Sequence, residues 1–138
     1  MINVKSLERL NTCHPFLRRV VLAVAEEMKI QVICGYRGKE EQDRAFGEGK
    51  SKLKFPKSKH NIYPSEAVDL APLKMVDGKL IIDWNDKKAF QDLANCMFKY
   101  AYKFGIGIRW GGDFNMDGTK TTNDAWDLPH WELRESKG

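Results

Sequence analysis

Apolar residues recur at helical spacing in long segments of this chain and cluster at strand spacing in short ones between them. In HPFLRRVVLAVAEEMK, the stripe Leu17, Val20, Val21, Val24 and Met28 predicts a helix laid against a core. QVICG, ending at Gly35, reads as a short buried strand, and the residues ahead of the first helix as a leader turn. KEEQDRAFGEGK has good helix formers and stops at glycines, which predicts a second, shorter helix before a long lysine-rich loop. EAVDLAP reads as a central strand closed by Pro72, and KMVDGKLII places Asp77-Gly78 between apolar flanks, the signature of a hairpin. The strongest helical pattern is DWNDKKAFQDLANCMFKYAYKFG. It has an acidic or amide cap between Asp83 and Asp86, a stripe of Phe90, Leu93, Met97, Phe98 and Ala101, and Gly105 past its end. IGIRW and HWEL read as strands separated by the loop GGDFNMDGTKTTNDAWD. About three helices mixed with strands, without regular alternation or internal repeat, predict an α+β domain with a mostly antiparallel sheet.

At 138 residues the chain is long enough for one core and too short to expect two, so residues 1–138 are read as a single domain. No apolar run approaches the roughly eighteen residues of a membrane span. The N-terminus lacks the basic-then-apolar layout of a signal peptide, which predicts synthesis in the cytoplasm and another exit route for any work outside the cell. Cys13, Cys34 and Cys96 are odd in number and show no C-x-x-C spacing, arguing against a disulfide framework and a thiolate zinc site. The net charge of +4 is concentrated in GKSKLKFPKSK, which is either a solvated loop or a patch for an anionic partner such as nucleic acid or bacterial cell wall.

Any histidine-based chemistry must draw on His14, His60 and His130. His14, before Pro15 at a helix start, reads as a cap or surface residue. His130 follows Pro129 in DLPHWEL, where strand alternation puts His130 and Glu132 on one face and Trp131 and Leu133 on the other, core-facing one. A catalytic zinc keeps three protein ligands and an open position, and His60, Asp69 and His130 supply such a set. The bland alternative is a surface histidine beside an ordinary strand aspartate. If the metal reading holds, Asp127 is placed to act as the base through the turn at Pro129, and Arg37 of CGYRGKEEQ, after a strand end, to hold an oxyanion.

The loop DFNMDGTKTTND carries a separate signal. Asp113, Asn115, Asp117, Gly118, Thr119 and Asp124 fall at positions 1, 3, 5, 6, 7 and 12 of a calcium-loop template, with aspartate replacing the usual glutamate at the last. The alternative is an acidic, turn-rich loop. If calcium binds, it would order the segment leading to Asp127. A cysteine hydrolase built on Cys34 lacks an evident histidine to activate it.

GYRGKEEQ, SKHNIYPSEAVDLAP and DLPHWEL, in this order, resemble the three motifs of the LAS-type zinc peptidases. These comprise D-alanyl-D-alanine dipeptidases and carboxypeptidases and the L-alanyl-D-glutamate endopeptidases that bacteriophages use as endolysins. The similarity runs from about Val32 to Leu133 and most resembles the phage branch. It implies the LAS/hedgehog-like fold, zinc on His60, Asp69 and His130, Asp127 as catalytic acid/base and Arg37 as a substrate-contacting, charge-stabilising residue. Ser58 matches the small hydroxyl two residues before the first ligand, a supporting or substrate contact. Bacterial peptidoglycan is the implied partner; no nucleic acid and no stable membrane association are expected, and a monomer is the default. The implied route is synthesis in the host cytoplasm and release to the wall through membrane lesions. The chain departs from the family's S-x-H-x-x-G-x-A-x-D motif by spacing His60 and Asp69 nine positions apart instead of seven, with no intervening glycine. Glu66 is therefore a rival ligand, although AVDLAP keeps the residues that flank the motif's aspartate. Within the class the alternative is a D-alanyl-D-alanine carboxypeptidase. Outside it is a non-catalytic, zinc-containing wall-binding module, which would need neither Asp127 nor Arg37.

Overall fold

The computed structural model describes residues 2–112 and 127–134. A four-stranded antiparallel sheet is formed by β1 (Ile30–Cys34), β2 (Ala67–Pro72), β5 (Ile108–Trp110) and β6 (His130–Leu133), in the order β1-β2-β6-β5. Alternation along these strands sends Val32, Val68, Leu70, Trp131 and Leu133 into the core. A separate hairpin joins β3 (Lys74–Val76) to β4 (Lys79–Ile81). Its turn residues Asp77 and Gly78 both have positive φ, 50° and 78°, the backbone a two-residue turn of this hand requires.

The helix α2 (Pro15–Glu27) starts at His14, whose Nδ1 accepts the Phe16 N–H, and buries Leu17, Val20, Val21, Val24 and Ala25. Met28 lies just past its end in extended backbone and is only partly buried. The helix α4 (Lys87–Phe104) is capped by Asp86 and ends at Gly105 with φ 69°, as the sequence predicts. It packs on β2, β5 and α2. Phe98 departs from its expected place in the stripe: it is 39% exposed, and its ring meets the buried Trp131 edge-on. The described residues contain no helix long and apolar enough to cross a membrane.

The expected leader turn is instead a helix, α1 (Val4–Leu10), so the described residues form four α-helices rather than about three. Its buried contacts are partly polar, which hides it from hydrophobic periodicity. The Ser6 hydroxyl accepts the Val32 N–H and the Arg9 guanidinium donates to the Val32 carbonyl. These side chains satisfy backbone groups on the outer edge of β1, an edge that would otherwise be open to another strand. The remaining helix, α3 (Lys39–Gly47), falls where the sequence predicts it.

Candidate active site

One face of the sheet is sealed by the core, and the opposite face, toward the ends of β1, β2 and β6, carries polar residues. A register shift between Val32 and Cys34 sets Cys34 opposite Asp69, and Asp69 in turn pairs with His130. Bulges of this kind re-aim side chains at strand ends. Neighbouring positions across antiparallel strands bring side chains within contact, so Asp69 and His130 meet without any loop to position them.

His60 arrives from outside the sheet, on a 3-10 turn, Lys59–Asn61, that the sequence reading did not anticipate. Ser58 caps this turn: its hydroxyl accepts the His60 N–H, and the Asn61 side chain accepts the Ser58 N–H in return. The two extra residues of the motif are absorbed after this turn, where Ile62 and Tyr63 project outward and Tyr63 is 69% exposed. Buried Ser65 then re-anchors the chain through Thr12, His14 and Ala67 before β2 begins.

The result is a compact cluster in which a ligand atom from each of His60, Asp69 and His130 lies within 4.8 Å of the others. Asp69 Oδ1 is 3.2 Å from His60 Nε2 and 3.3 Å from His130 Nδ1. Glu66 is not a member of the cluster. The far nitrogen of each imidazole is held by an acceptor: His60 Nδ1 lies 2.7 Å from the Gly35 carbonyl and His130 Nε2 2.8 Å from Glu132 Oε1. Since a carbonyl and a carboxylate only accept, those nitrogens carry the protons, and the inward ones are left as ligand atoms. Glu132 is itself flanked by Lys59 and Arg109, each at 3.5 Å.

The electrostatics fit a cation. Burial alone would keep both imidazoles neutral, but the Asp69 carboxylate outweighs it and raises His60 to about 10, while Asp69 and Glu132 together raise His130 to about 9. Burial opposes ionisation of Asp69, yet the two histidines hold its carboxyl well below the usual range. Two imidazoles drawn to hold positive charge against one buried carboxylate form a site where a divalent ion can take the protons' place. Two nitrogens and one oxygen at the wall of an open cavity match the donor set of a catalytic rather than a structural zinc.

That cavity, about 900 Å³, is lined by His60, Asp69, His130, Arg37 and Asp127 together with lysines of the 50–59 loop. Asp127 is joined to His130 by a turn in which its carbonyl accepts the His130 N–H at 3.1 Å, the turn that Pro129 makes possible. Burial, then the Asp69 charge, pushes its carboxyl up to about 6. Arg37 directs Nη2 to Asp69 Oδ2 at 3.5 Å. The lysine-rich run is thus neither wholly solvated nor a detached patch. Lys50, Lys52 and Lys57 are exposed but line the cavity mouth, and Lys59 is drawn in to Glu132 and the Leu133 carbonyl.

Cys34 does have a histidine beside it, with Sγ 3.9 Å from His60 Nδ1. That nitrogen is committed to Gly35, so it cannot serve as the thiol's base. The proposed calcium ligands Asp113, Asn115, Asp117, Thr119 and Asp124 lie outside the described residues. Sequence reasoning missed Glu132 and Gln42 as supports of the site. The alternation that puts Glu132 on the His130 face was the available signal for the first.

A family model described as phage L-alanyl-D-glutamate peptidase matches residues 1–134 of the chain. The L-alanyl-D-glutamate peptidase of Escherichia phage T5 is 33% identical over 134 residues, covering 93% of each chain. The crystal structure of the Serratia marcescens L-Ala D-Glu endopeptidase ChiX matches with a TM-score of 0.71 at 25% identity, covering 97% of this chain and 90% of that one.

Proposed function

The chain belongs to the phage L-alanyl-D-glutamate peptidase family, and on that premise we propose that it is a zinc metallopeptidase that hydrolyses the L-alanyl-D-glutamate bond of the peptidoglycan stem. The observation that carries this reading is the convergence of His60, Asp69 and His130 on one cavity wall beside Asp127 and Arg37. His60 Nε2, Asp69 Oδ1 and His130 Nδ1 would hold the ion. Zinc, when bound, supplies a Lewis acid that polarises the scissile carbonyl and makes water nucleophilic near neutral pH.

The remaining work falls to the chain's own groups. Asp127, half-buried and with its carboxyl raised toward neutrality, accepts the proton of the attacking water and returns it to the leaving amine. Arg37, whose charge is permanent, faces the developing oxyanion and contacts substrate. Ser58 serves the reaction by fixing His60, since its hydroxyl oxygen already accepts the His60 N–H. The enzyme would act on the host wall after release through membrane lesions, with the cationic cavity mouth favouring an anionic polymer. Calcium held by Asp113, Asn115, Asp117, Thr119 and Asp124, shortly before Asp127 in the sequence, would raise activity.

The test is Asp127→Ala. Wall lysis should fall by roughly 100- to 10,000-fold, the range for loss of a positioned acid/base, with zinc content and wall binding retained. Unchanged lysis would remove Asp127 from the mechanism. Lysis absent from the parent enzyme, with wall binding intact, would favour the binding-module alternative.

A further inference from the structure

We infer that Gln42 is a positioning residue for the reaction: its side-chain amide fixes the Arg37 guanidinium in the direction of the His60–Asp69–His130 cluster. The inference rests on the reading of Arg37 given above.

Gln42 is the one fully buried residue of α3, a helix whose other described side chains are at least partly exposed. A helix anchored by a glutamine in place of an apolar stripe is unusual, because a buried amide is costly unless every polar atom is satisfied. Here each atom is satisfied twice. Oε1 accepts from Arg37 Nη1 at 3.0 Å and from Asn61 Nδ2 at 3.1 Å. Nε2 donates to Ser51 Oγ at 2.9 Å and to the Leu53 carbonyl at 2.7 Å. The orientation is forced, since a backbone carbonyl can only accept and a guanidinium can only donate, so the amide cannot flip without breaking both.

The consequence lies at Arg37. With Nη1 tied to Gln42, Nη2 is the end left to face Asp69 Oδ2 at 3.5 Å and Cys34 Sγ at 3.7 Å. Arginine carries considerable rotamer freedom, and a guanidinium held in place beforehand pays none of that ordering during the reaction. Gln42 also reaches the turn that carries His60, because Asn61 caps that turn through its Oδ1 and donates through Nδ2 to both Gln42 and the Arg37 carbonyl. Ser51 and Leu53, at the start of the lysine-rich loop, hold the amide from the other side. Gln42 hydrogen-bonds Arg37 directly and the His60 turn only through Asn61, which Ser58 also holds, so the larger effect should pass through Arg37, and zinc content reads the second route.

A double-mutant cycle on the zinc-loaded enzyme tests this, read by steady-state kinetics on a soluble muropeptide containing the L-alanyl-D-glutamate bond. Gln42→Ala should lower kcat/KM by about tenfold or more, chiefly in kcat, with one zinc per chain retained. In the Arg37→Ala background the same change should cost less than about twofold, since coupled residues are not additive. An equal loss in both backgrounds, or full activity of Gln42→Ala, would overturn the inference. If Gln42→Ala does not fold, Gln42→Met is read in the same cycle. It keeps roughly the volume but removes the acceptor for Arg37, and equal losses in both backgrounds again count against the inference. An Arg37→Ala enzyme at full activity would instead sink the role given to Arg37.

Discussion

Two single residues beside the cluster separate positioning from metal binding. Gly111 has no room for a side chain, because a Cβ there would stand 1.9 Å from the Asp127 carbonyl oxygen. Gly111→Ala should therefore shift the Asp127 backbone and lower activity up to about 100-fold, the cost of a misplacement near 1 Å. Zinc content measured on the same preparation should fall far less than activity, because the displaced carbonyl reaches His130 only through its backbone N–H, and loss of zinc in step with activity would contradict this assignment. Glu132 acts on the other side of His130, holding its Nε2–H. Glu132→Gln keeps the shape but weakens that acceptor, so zinc affinity should drop by roughly 10- to 100-fold, as competition with a chromophoric chelator would measure. An unchanged affinity would mean that His130 keeps its orientation without this partner. Neither residue stands out in the sequence as a ligand would. Glu132 is visible there only through its shared strand face, and Gly111 only as half of a glycine pair.

At the level of elements, the sequence makes the apolar framework legible and hides the polar joints. The stripes of α2 and α4, the Asp77-Gly78 hairpin and the β2 and β6 strands follow from periodicity and turn chemistry alone. By contrast α1 is held partly by Ser6 and Arg9 on the β1 edge, α3 by Gln42, and the His60 turn by its Ser58 cap, none of which leaves an apolar signature. Two elements are also joined by a polar clamp. Glu27, at the end of α2, accepts from Lys99 and Tyr100 of α4 and from Cys96 Sγ, and these partners lower its carboxyl to about 2. A carboxyl whose folded-state value is depressed adds stability above its unfolded value of about 4.5. That contribution fades as pH falls from there to about 2. Glu27→Gln should thus melt at a lower temperature than the parent at pH 7, and the difference should shrink steadily as pH falls toward and through about 2. A difference independent of pH would show that packing, not charge, joins the helices. The 113–124 segment carries its own expectation: calcium added to zinc-loaded enzyme should raise lysis above that in a calcium chelator, and equal rates would remove calcium from the account.

For the whole molecule, the fold places three motifs that are far apart in sequence around one cavity. GYRGKEEQ follows β1, SKHNIYPSEAVDLAP spans the capped turn and β2, and DLPHWEL enters β6. The order of the motifs was readable from the chain, but the choice of Asp69 over Glu66 beside the histidines depends on strand register, which spacing alone does not specify. Because the ion would bind the folded chain and not the unfolded one, zinc removal should abolish lysis and lower the melting temperature, and zinc should restore both. The bond cut is read most directly from the mass of the products released when the zinc-loaded enzyme digests purified peptidoglycan. The expected products are stem peptides that begin with D-glutamate, with L-alanine left on the glycan. Release of single terminal D-alanine residues, or no cleavage product at all, would contradict the proposed function.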